Sequence, residues 1–458
     1  MRRVLAIIGI ASLVAVSGCS SRGSGGGSDT TVPADGVSLT SFGDMESPCG
    51  EGEATVDATQ NGGETLKITA ATDKGFVTSP GLDIELEDAA KAFIGWCNEQ
   101  GGILGVPLEL VEVDAELFKV PAAMETICSS VFAMVGGGLV FDDKEFPRFN
   151  ECKMIDFAGY TVTPAKAESS GMVQPIPNPA FTKPAGWFLW AKNTHPEDIK
   201  KVAILAGNFV TTLNVAKQNK ATMETIEGYG TPEIIQYNSS GEVNWTPFAQ
   251  QLKDGGFTML NFVGSPNGIV GLLKAMEEIG YKPNVFVNDG SMYDSMLEGL
   301  GAGSEGLTAR TVFTPWTDAS VNPAMSQFLA IMKKYNPSGK IAGLALQSFS
   351  AHLLFATAVN NCAANNDNVI ERECVLAEGK KITAWTAGGL HAETNPGQNI
   401  PSKCETLMQL QGGKWVRLYP ERGSADDSGN GFHCYDDGIV QITGDFGDAT
   451  AGKDPSRS

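Results

Sequence analysis

The chain has 458 residues, of which 42% are hydrophobic, and a formal net charge of −20 at pH 7. This length exceeds one typical hydrophobic core, so two lobes with additional segments are expected. The acidic balance argues against nucleic acid or an anionic membrane face as a partner, because like charges repel, and it suits an exported protein that must stay soluble.

The N-terminus has the form of a lipoprotein signal peptide. Arg2 and Arg3 precede an apolar run from Val4 to Val16, which is too short to span a bilayer, and Ser17-Gly18-Cys19 follows. We expect residues 1–18 to be cleaved and Cys19 to be acylated, which anchors the chain on the extracytoplasmic face of a bacterial membrane. An ordinary secretory signal with an incidental Cys19 is the alternative. Residues 19–62 are expected to form a flexible tether, because residues 20–37 are dominated by Ser, Gly, Thr and Asp.

Eight further cysteines follow Cys19. An even number outside the cytosol predicts disulfides, although eight cysteines allow 105 connectivities. Metal binding is the competing interpretation, but no two cysteines form a C-x-x-C pair and histidines are few and scattered. We therefore predict no metal site and four disulfides, namely Cys49 with Cys97, Cys128 with Cys152, Cys362 with Cys374, and Cys404 with Cys434.

The first legible folding unit runs from Leu66 to Asp114. A strand over 66–71 is followed by a Gly-punctuated loop over 75–81 and then by a helix. The helix is predicted from apolar residues at steps of three and four, which place one stripe on a single face. That stripe consists of Leu82, Leu86, Ala89, Phe93 and Cys97. A turn and a second strand ending at Asp114 complete a β-α-β unit.

The segment NEQGGILGVPLELVEVD, residues 98–114, resembles the opening of periplasmic binding proteins of the branched-chain amino acid type. Those proteins are the extracytoplasmic ligand receptors of ABC importers. The resemblance extends with gaps from about Leu66 to about Pro420. It implies an α/β fold of two doubly wound Rossmann-like lobes joined by a three-segment hinge, the type I periplasmic binding protein fold.

Two successive runs of alternating strands and helices independently predict two parallel sheets, each covered on both faces. We expect lobe one to comprise residues 63–181 and 313–375, and lobe two to comprise residues 182–312 and 376–422. A helix is predicted over 292–300, and Trp187 and Trp190 are interpreted as core residues. The acidic, Gly-rich tail over 423–458 is expected to be loosely ordered.

In open parallel sheets, ligands bind outside the carboxyl ends of the strands, so the loops that follow the strands form the predicted site. The resemblance then points to particular residues. Lobe one supplies Ala158 and Tyr160, and it has Val140 where a Ser-rich turn is usual. On lobe two the ammonium-binding carboxylate of the family falls on Asp289, and its two aromatic positions fall on Ser265 and Thr211.

Two of these residues have alternative roles. Asp289 precedes Gly290 and could simply cap the following helix through its side-chain oxygen. Tyr160 could be a ligand platform or a strand-end Tyr packed on a loop. Because aromatic side chains are missing at 211 and 265 and apolar ones appear at 139–141, we predict that leucine and valine do not bind tightly.

Motifs of catalysis are missing from the sequence. It has four histidines and neither HExxH, G-x-S-x-G, a Walker loop nor GxGxxG after a strand, so we predict neither an enzyme nor a bound cofactor. The expected function is a monomeric substrate-binding lipoprotein of an ABC importer. It is expected to close about its hinge on a small polar metabolite, an amino acid or amide-like compound, and the permease then recognises the closed form. A ligand sensor or surface recognition protein on the same scaffold is the alternative.

Overall fold

The structure, a computed structural model, describes residues 36–457. The predicted signal peptide and Cys19 lie outside these residues. Between residues 36 and 457, no helix has both the length and the apolar character needed to cross a membrane.

Lobe one is built on a five-stranded sheet in which all neighbouring strands are parallel. The strands, in spatial order, are Leu108–Leu110, Leu66–Thr69, Ala133–Val135, Asp156–Phe157 and Met172–Val173. The helices of this lobe are Ile84–Glu99, Val120–Ser130, Arg148–Glu151, Pro164–Ala167, Pro323–Tyr335, Gly343–Asn365 and Arg372–Lys380. Separate apolar clusters cover the two faces of the sheet, so the lobe is doubly wound.

Lobe two is built on a larger, mixed sheet. Its strands, in spatial order, are Glu233–Tyr237, Val202–Gly207, Met259–Val263, Val285–Asn288, Leu307–Thr311, Cys404–Gln411 and Lys414–Tyr419, and His433–Cys434 also pairs with Cys404–Gln411. The first five are parallel, and the last three pair antiparallel. The helices are Gly186–Thr194, Val210–Glu224, Thr246–Asp254 and Pro266–Glu278.

The strand Val202–Gly207 shows why helices cover both faces of the second sheet. Ala203 and Leu205 belong to one apolar cluster, whereas Val202, Ile204 and Ala206 belong to another. Successive side chains of a strand point to opposite faces, so an unbroken apolar run needs a cover on each side. Trp187 and Trp190 are both buried in the second cluster, as predicted. The predicted α/β fold of two lobes is confirmed.

The third crossing between the lobes lies later in the chain than expected. Leu376, Trp385 and Leu390 are buried in the lobe-one core, and lobe two resumes only at the strand Cys404–Gln411. Residues 376–403 therefore extend lobe one instead of beginning lobe two. The apolar residues in this segment are too sparse to show a helical or strand period, so the sequence could not show to which lobe the segment belongs.

The expected tether ends much earlier than residue 62. Phe42 is fully buried against Trp96 and Phe349, and the short strand Thr55–Val56 pairs with Val369–Ile370. The segment from residue 37 to residue 62 therefore packs on lobe one, where a few of its apolar side chains are buried. The part of the predicted tether between residues 19 and 35 lies outside the described residues.

The C-terminal tail is also ordered, contrary to expectation. Ile439–Gln441 pairs antiparallel with Thr182–Pro184 at the first crossing, and Phe446 is buried against Phe181. Farther on, the Arg457 guanidinium donates to the carbonyl oxygens of Met154 and Lys153 in lobe one, each at 2.7 Å. The tail thus forms a fourth connection between the lobes.

Residues 292–300 form short turns in place of the predicted helix. The structure has single 3-10 turns at Gly290–Met292 and Ser295–Leu297. Asp289 and Asp294 each accept a hydrogen bond from the backbone N–H two residues on, at 2.8 and 2.7 Å. Such local side-chain bonds compete with helical pairing and stop each turn from propagating.

All four predicted disulfides are confirmed. Three of them, Cys49–Cys97, Cys128–Cys152 and Cys362–Cys374, lie within lobe one. The fourth, Cys404–Cys434, ties the start of the tail to the lobe-two hairpin.

Candidate functional site

A cavity of about 770 Å³ lies between the two lobes, at the carboxyl ends of their parallel strands. The loops that follow the parallel strands, which the sequence predicts as the site, all contribute to its wall; they span residues 72–81, 136–142, 158–163, 207–212, 264–267 and 288–293. Their lining residues include Phe76, Val140, Tyr160, Phe209, Ser265 and Asp289. The volume is within the range of about 300–1,000 Å³ that is usual for small-molecule sites.

Tyr160 lines the lobe-one side of the cavity. Its hydroxyl donates to Asp83 Oδ2 at 2.7 Å. The ring lies directly over Gly138, where an added Cβ would come within 2.4 Å of it, so only glycine permits this packing. Burial, assisted by the nearby charge of Asp73, raises the pKa of Asp83 well above its usual value.

Val140 reaches the cavity through a loop that is fixed from behind. Its backbone N–H donates to Asp73 Oδ2 at 2.9 Å, and the Leu117 N–H donates to Oδ1 at 2.8 Å. Burial raises the pKa of Asp73 to about 6 in spite of these two bonds. Asp73 therefore holds two wall loops together.

On lobe two, Asp289 and Ser265 both line the cavity and both cap local structure. Asp289 Oδ1 accepts from the Ser291 N–H at 2.8 Å and from the Ser291 hydroxyl at 2.6 Å. Ser265 accepts from the Gly268 N–H at 3.2 Å and begins the helix Pro266–Glu278. The alternative of Asp289 as a cap is thus observed, although the cap belongs to a 3-10 turn.

Two predicted site residues lie behind the wall. Ala158 is fully buried in the lobe-one sheet, where its N–H donates to the Val173 carbonyl, and Thr211 is 3% exposed. Phe209, two residues before Thr211, reaches the cavity instead. An aromatic side chain from the residue just before the helix Val210–Glu224 thus reaches the cavity, at position 209 and not at position 211.

The hinge end of the cavity contains residues that the sequence analysis did not identify. Lys183 lies in the first crossing, and Arg310 lies in the last parallel strand before the second crossing. The Arg310 guanidinium lies 5.5 Å from the ring of Trp187, which also lines the cavity. Neither cation follows a recognisable motif, so only the topology brings the two together.

The opposite end of the cleft is closed by contacts between the lobes, and we call this end the mouth. Phe209 of lobe two lies 5.2 Å from Phe141 and 5.9 Å from Phe118 of lobe one, measured between ring centroids. A Cβ placed on Gly241 of lobe two would lie 3.4 Å from the Thr78 Cβ of lobe one. The structure therefore represents a closed arrangement of the lobes.

The profile of the periplasmic binding protein family matches residues 75–414, well over half of the chain. The chain belongs to the periplasmic binding protein family. Both lobes and the cavity between them lie largely within the matched residues. A search of curated proteins finds no match.

Solved structures of periplasmic binding proteins share the fold at low sequence identity. A fatty acid ABC transporter substrate-binding protein from Thermomonospora curvata is 15% identical, with a TM-score of 0.67 and coverage of 82% of this chain and 95% of that one. A leucine binding protein from Thermotoga maritima is 14% identical, with a TM-score of 0.63 and coverage of 77% and 98%. A solute binding protein from Rhodopseudomonas palustris in complex with 4-hydroxybenzoate is 18% identical, with a TM-score of 0.62 and coverage of 78% and 96%.

Proposed function

We propose that this periplasmic binding protein is the substrate-binding lipoprotein of an ABC importer. A small solute enters the cavity between the lobes, touches both of them and stabilises the closed arrangement, which the permease then recognises. The cavity that both lobes line is the observation that carries this proposal. The signal sequence ending at Cys19 supports attachment to the outer face of the membrane through acyl chains, and we propose that the protein acts as a monomer.

The predicted failure to bind leucine tightly is supported by the arrangement of the wall. The lobe-two carboxylate, Asp289, already accepts two hydrogen bonds, and the lobe-one loop presents Val140 in place of hydroxyl groups. The carboxylate of an amino acid would therefore lose its hydration without an equivalent hydroxyl partner on that loop.

A thermal-shift screen over leucine, putrescine, nicotinamide, 4-hydroxybenzoate and octanoate tests both statements, because a ligand that binds only the native state raises the melting temperature. We expect at least one solute to raise it and leucine to leave it unchanged. Calorimetry that gives a sub-micromolar dissociation constant for leucine would show the second statement to be wrong. Deletion of the gene then separates importer from sensor, since only loss of an importer abolishes uptake of the bound solute.

A further inference from the structure

Lys183 is a buried cation with few partners. Its side chain lines the cavity, while the residue as a whole is only 7% exposed. The ammonium group donates to Asn178 Oδ1 at 2.8 Å, and it has no other acceptor within residues 36–457. An ammonium group has three N–H donors, so two of them remain for a ligand.

Arg310 is a second cation at the same end. Its Nε is buried and has no hydrogen-bond partner in the described part of the chain. The closest carboxylate oxygen, Glu405 Oε2, lies 4.0 Å from Nη1, which is beyond hydrogen-bond distance. A guanidinium held in this way is suited to bind a carboxylate through two parallel N–H donors.

The acidic groups near this pair do not neutralise it. Burial raises the pKa of Glu405 to about 7, so at neutral pH this side chain is only partly ionised. Glu168 is engaged elsewhere, because its Oε1 accepts from the Ala180 N–H at 2.9 Å. Burial, and then the nearby charge of Arg310, lower the pKa of Lys183 to about 7, which an anion bound between the two would reverse.

We propose that the ligand is an organic monocarboxylate with an apolar body, whose carboxylate lies between Lys183 and Arg310. This inference rests on the proposed function and specifies its substrate class. The body of the ligand lies against the apolar part of the wall, beginning with Trp187, which already packs against Arg310. That wall comprises Phe76, Leu82, Val140, Ile176, Trp187, Phe209, Val215, Phe313 and Leu344.

Three acidic residues of the wall already accept hydrogen bonds from the protein. Asp83 accepts from the Tyr160 hydroxyl, and burial raises the pKa of this carboxyl, whereas Asp289 accepts two hydrogen bonds from Ser291 on Oδ1. Glu242 accepts from the N–H groups of Asn238 and Asn244, at 3.2 and 3.1 Å. By contrast, two N–H donors of Lys183 and the Nε donor of Arg310 have no acceptor in the described part of the chain.

Calorimetry with octanoate and 4-hydroxybenzoate, and with octanamide and 4-hydroxybenzamide as neutral counterparts, tests the proposal. We expect at least one acid to bind the wild-type protein at least about tenfold more tightly than its amide binds. Lys183→Met and Arg310→Met should each lower the affinity for that acid by roughly 10- to 100-fold. Lys274→Met is the matched control, because it removes one positive charge from a side chain that is 78% exposed. It should bind the acid as the wild type does.

Three results would overturn this inference. The first is an acid that binds both Met variants with unchanged affinity, and the second is an acid bound no better than its amide. The third is that the wild-type protein binds neither acid. If it then binds leucine or putrescine instead, the proposed function still holds and only the substrate class is wrong. Arg310→Lys, which keeps the charge but not the planar fork, should retain part of the affinity and shows whether loss in Arg310→Met reflects the charge or a disturbed fold.

Discussion

Lys166→Met is expected to lower the free energy of unfolding by about 3–5 kcal/mol at pH 8, because it leaves buried carboxylates without their cation. The Lys166 ammonium bonds to Glu145 and, at 2.7 Å, to Asp156, and all three side chains are buried. Burial raises the pKa of Glu145 to about 7 even with Lys166 present. Urea denaturation of the two proteins measures the difference.

The decrease in the free energy of unfolding caused by Lys166→Met should be smaller at pH 5 than at pH 8. A carboxyl group whose pKa is raised in the folded state holds its proton there after the unfolded chain has released it, so stability falls as pH rises. Lys119→Met is the control: Lys119 pairs with Glu116 at 2.6 Å, both side chains are exposed, and we expect a cost of about 1 kcal/mol or less. Equal costs for the two variants would contradict this account of the buried cluster.

Arg372→Met is expected to cost at least about 3 kcal/mol, because it leaves several buried carbonyl oxygens without a donor. The guanidinium, in a residue that is 6% exposed, donates to the carbonyl oxygens of Phe132, Val131, Cys152 and Gln60 at 2.7, 2.8, 3.0 and 3.3 Å. Arg372 thus joins the N-terminal segment to the start of the central strand of the lobe-one sheet, Ala133–Val135.

Urea denaturation also checks this prediction, with Arg148→Met as the matched variant. Arg148 is partly exposed and pairs with Glu125 at 3.1 Å, so its loss should cost about 1 kcal/mol or less. Arg372→Lys should fall between the wild type and Arg372→Met, because an ammonium group can supply at most three of the four bonds. If Arg372→Met lowers the free energy of unfolding by less than about 1 kcal/mol, the prediction is wrong and water replaces the guanidinium as the donor to these carbonyl oxygens.

The long periodic elements of the fold could be predicted from the sequence. The stripe from Leu82 to Cys97 and the unbroken apolar strand near residues 202–206 both express a regular burial pattern, and regular patterns are visible without a structure. Segments held by single anchors could not be predicted. Phe42 and Phe446 are buried among Gly, Ser and Asp, and this composition is typical of loops.

The site could be predicted only in part for a similar reason. The rule that ligands bind after parallel strands selected the loops bearing Tyr160, Ser265 and Asp289, and all three line the cavity. The same rule could not select Lys183 or Arg310, because Lys183 lies in a crossing segment and Arg310 lies within a strand, and the rule applies only to loops after strands. The resemblance pointed to Thr211, which lies behind the wall, whereas Phe209 of the same loop lines the cavity.

We propose that the two lobes are hinged and that they open and close around the cavity. In the closed structure the Thr78 Cβ and a Cβ placed on Gly241 lie 3.4 Å apart, close to the spacing of about 3.5–4.5 Å found in disulfides. Thr78→Cys/Gly241→Cys should therefore staple the mouth. Gly241→Cys alone is the control, because the φ of Gly241 is +126° and any side chain there carries strain.

Small-angle X-ray scattering of the ligand-free wild-type protein and of the oxidised double variant compares their radii of gyration. We predict a larger radius for the wild type and for Gly241→Cys alone, because their lobes can separate, and a smaller radius for the stapled protein. Equal radii for all three proteins would contradict the hinged arrangement.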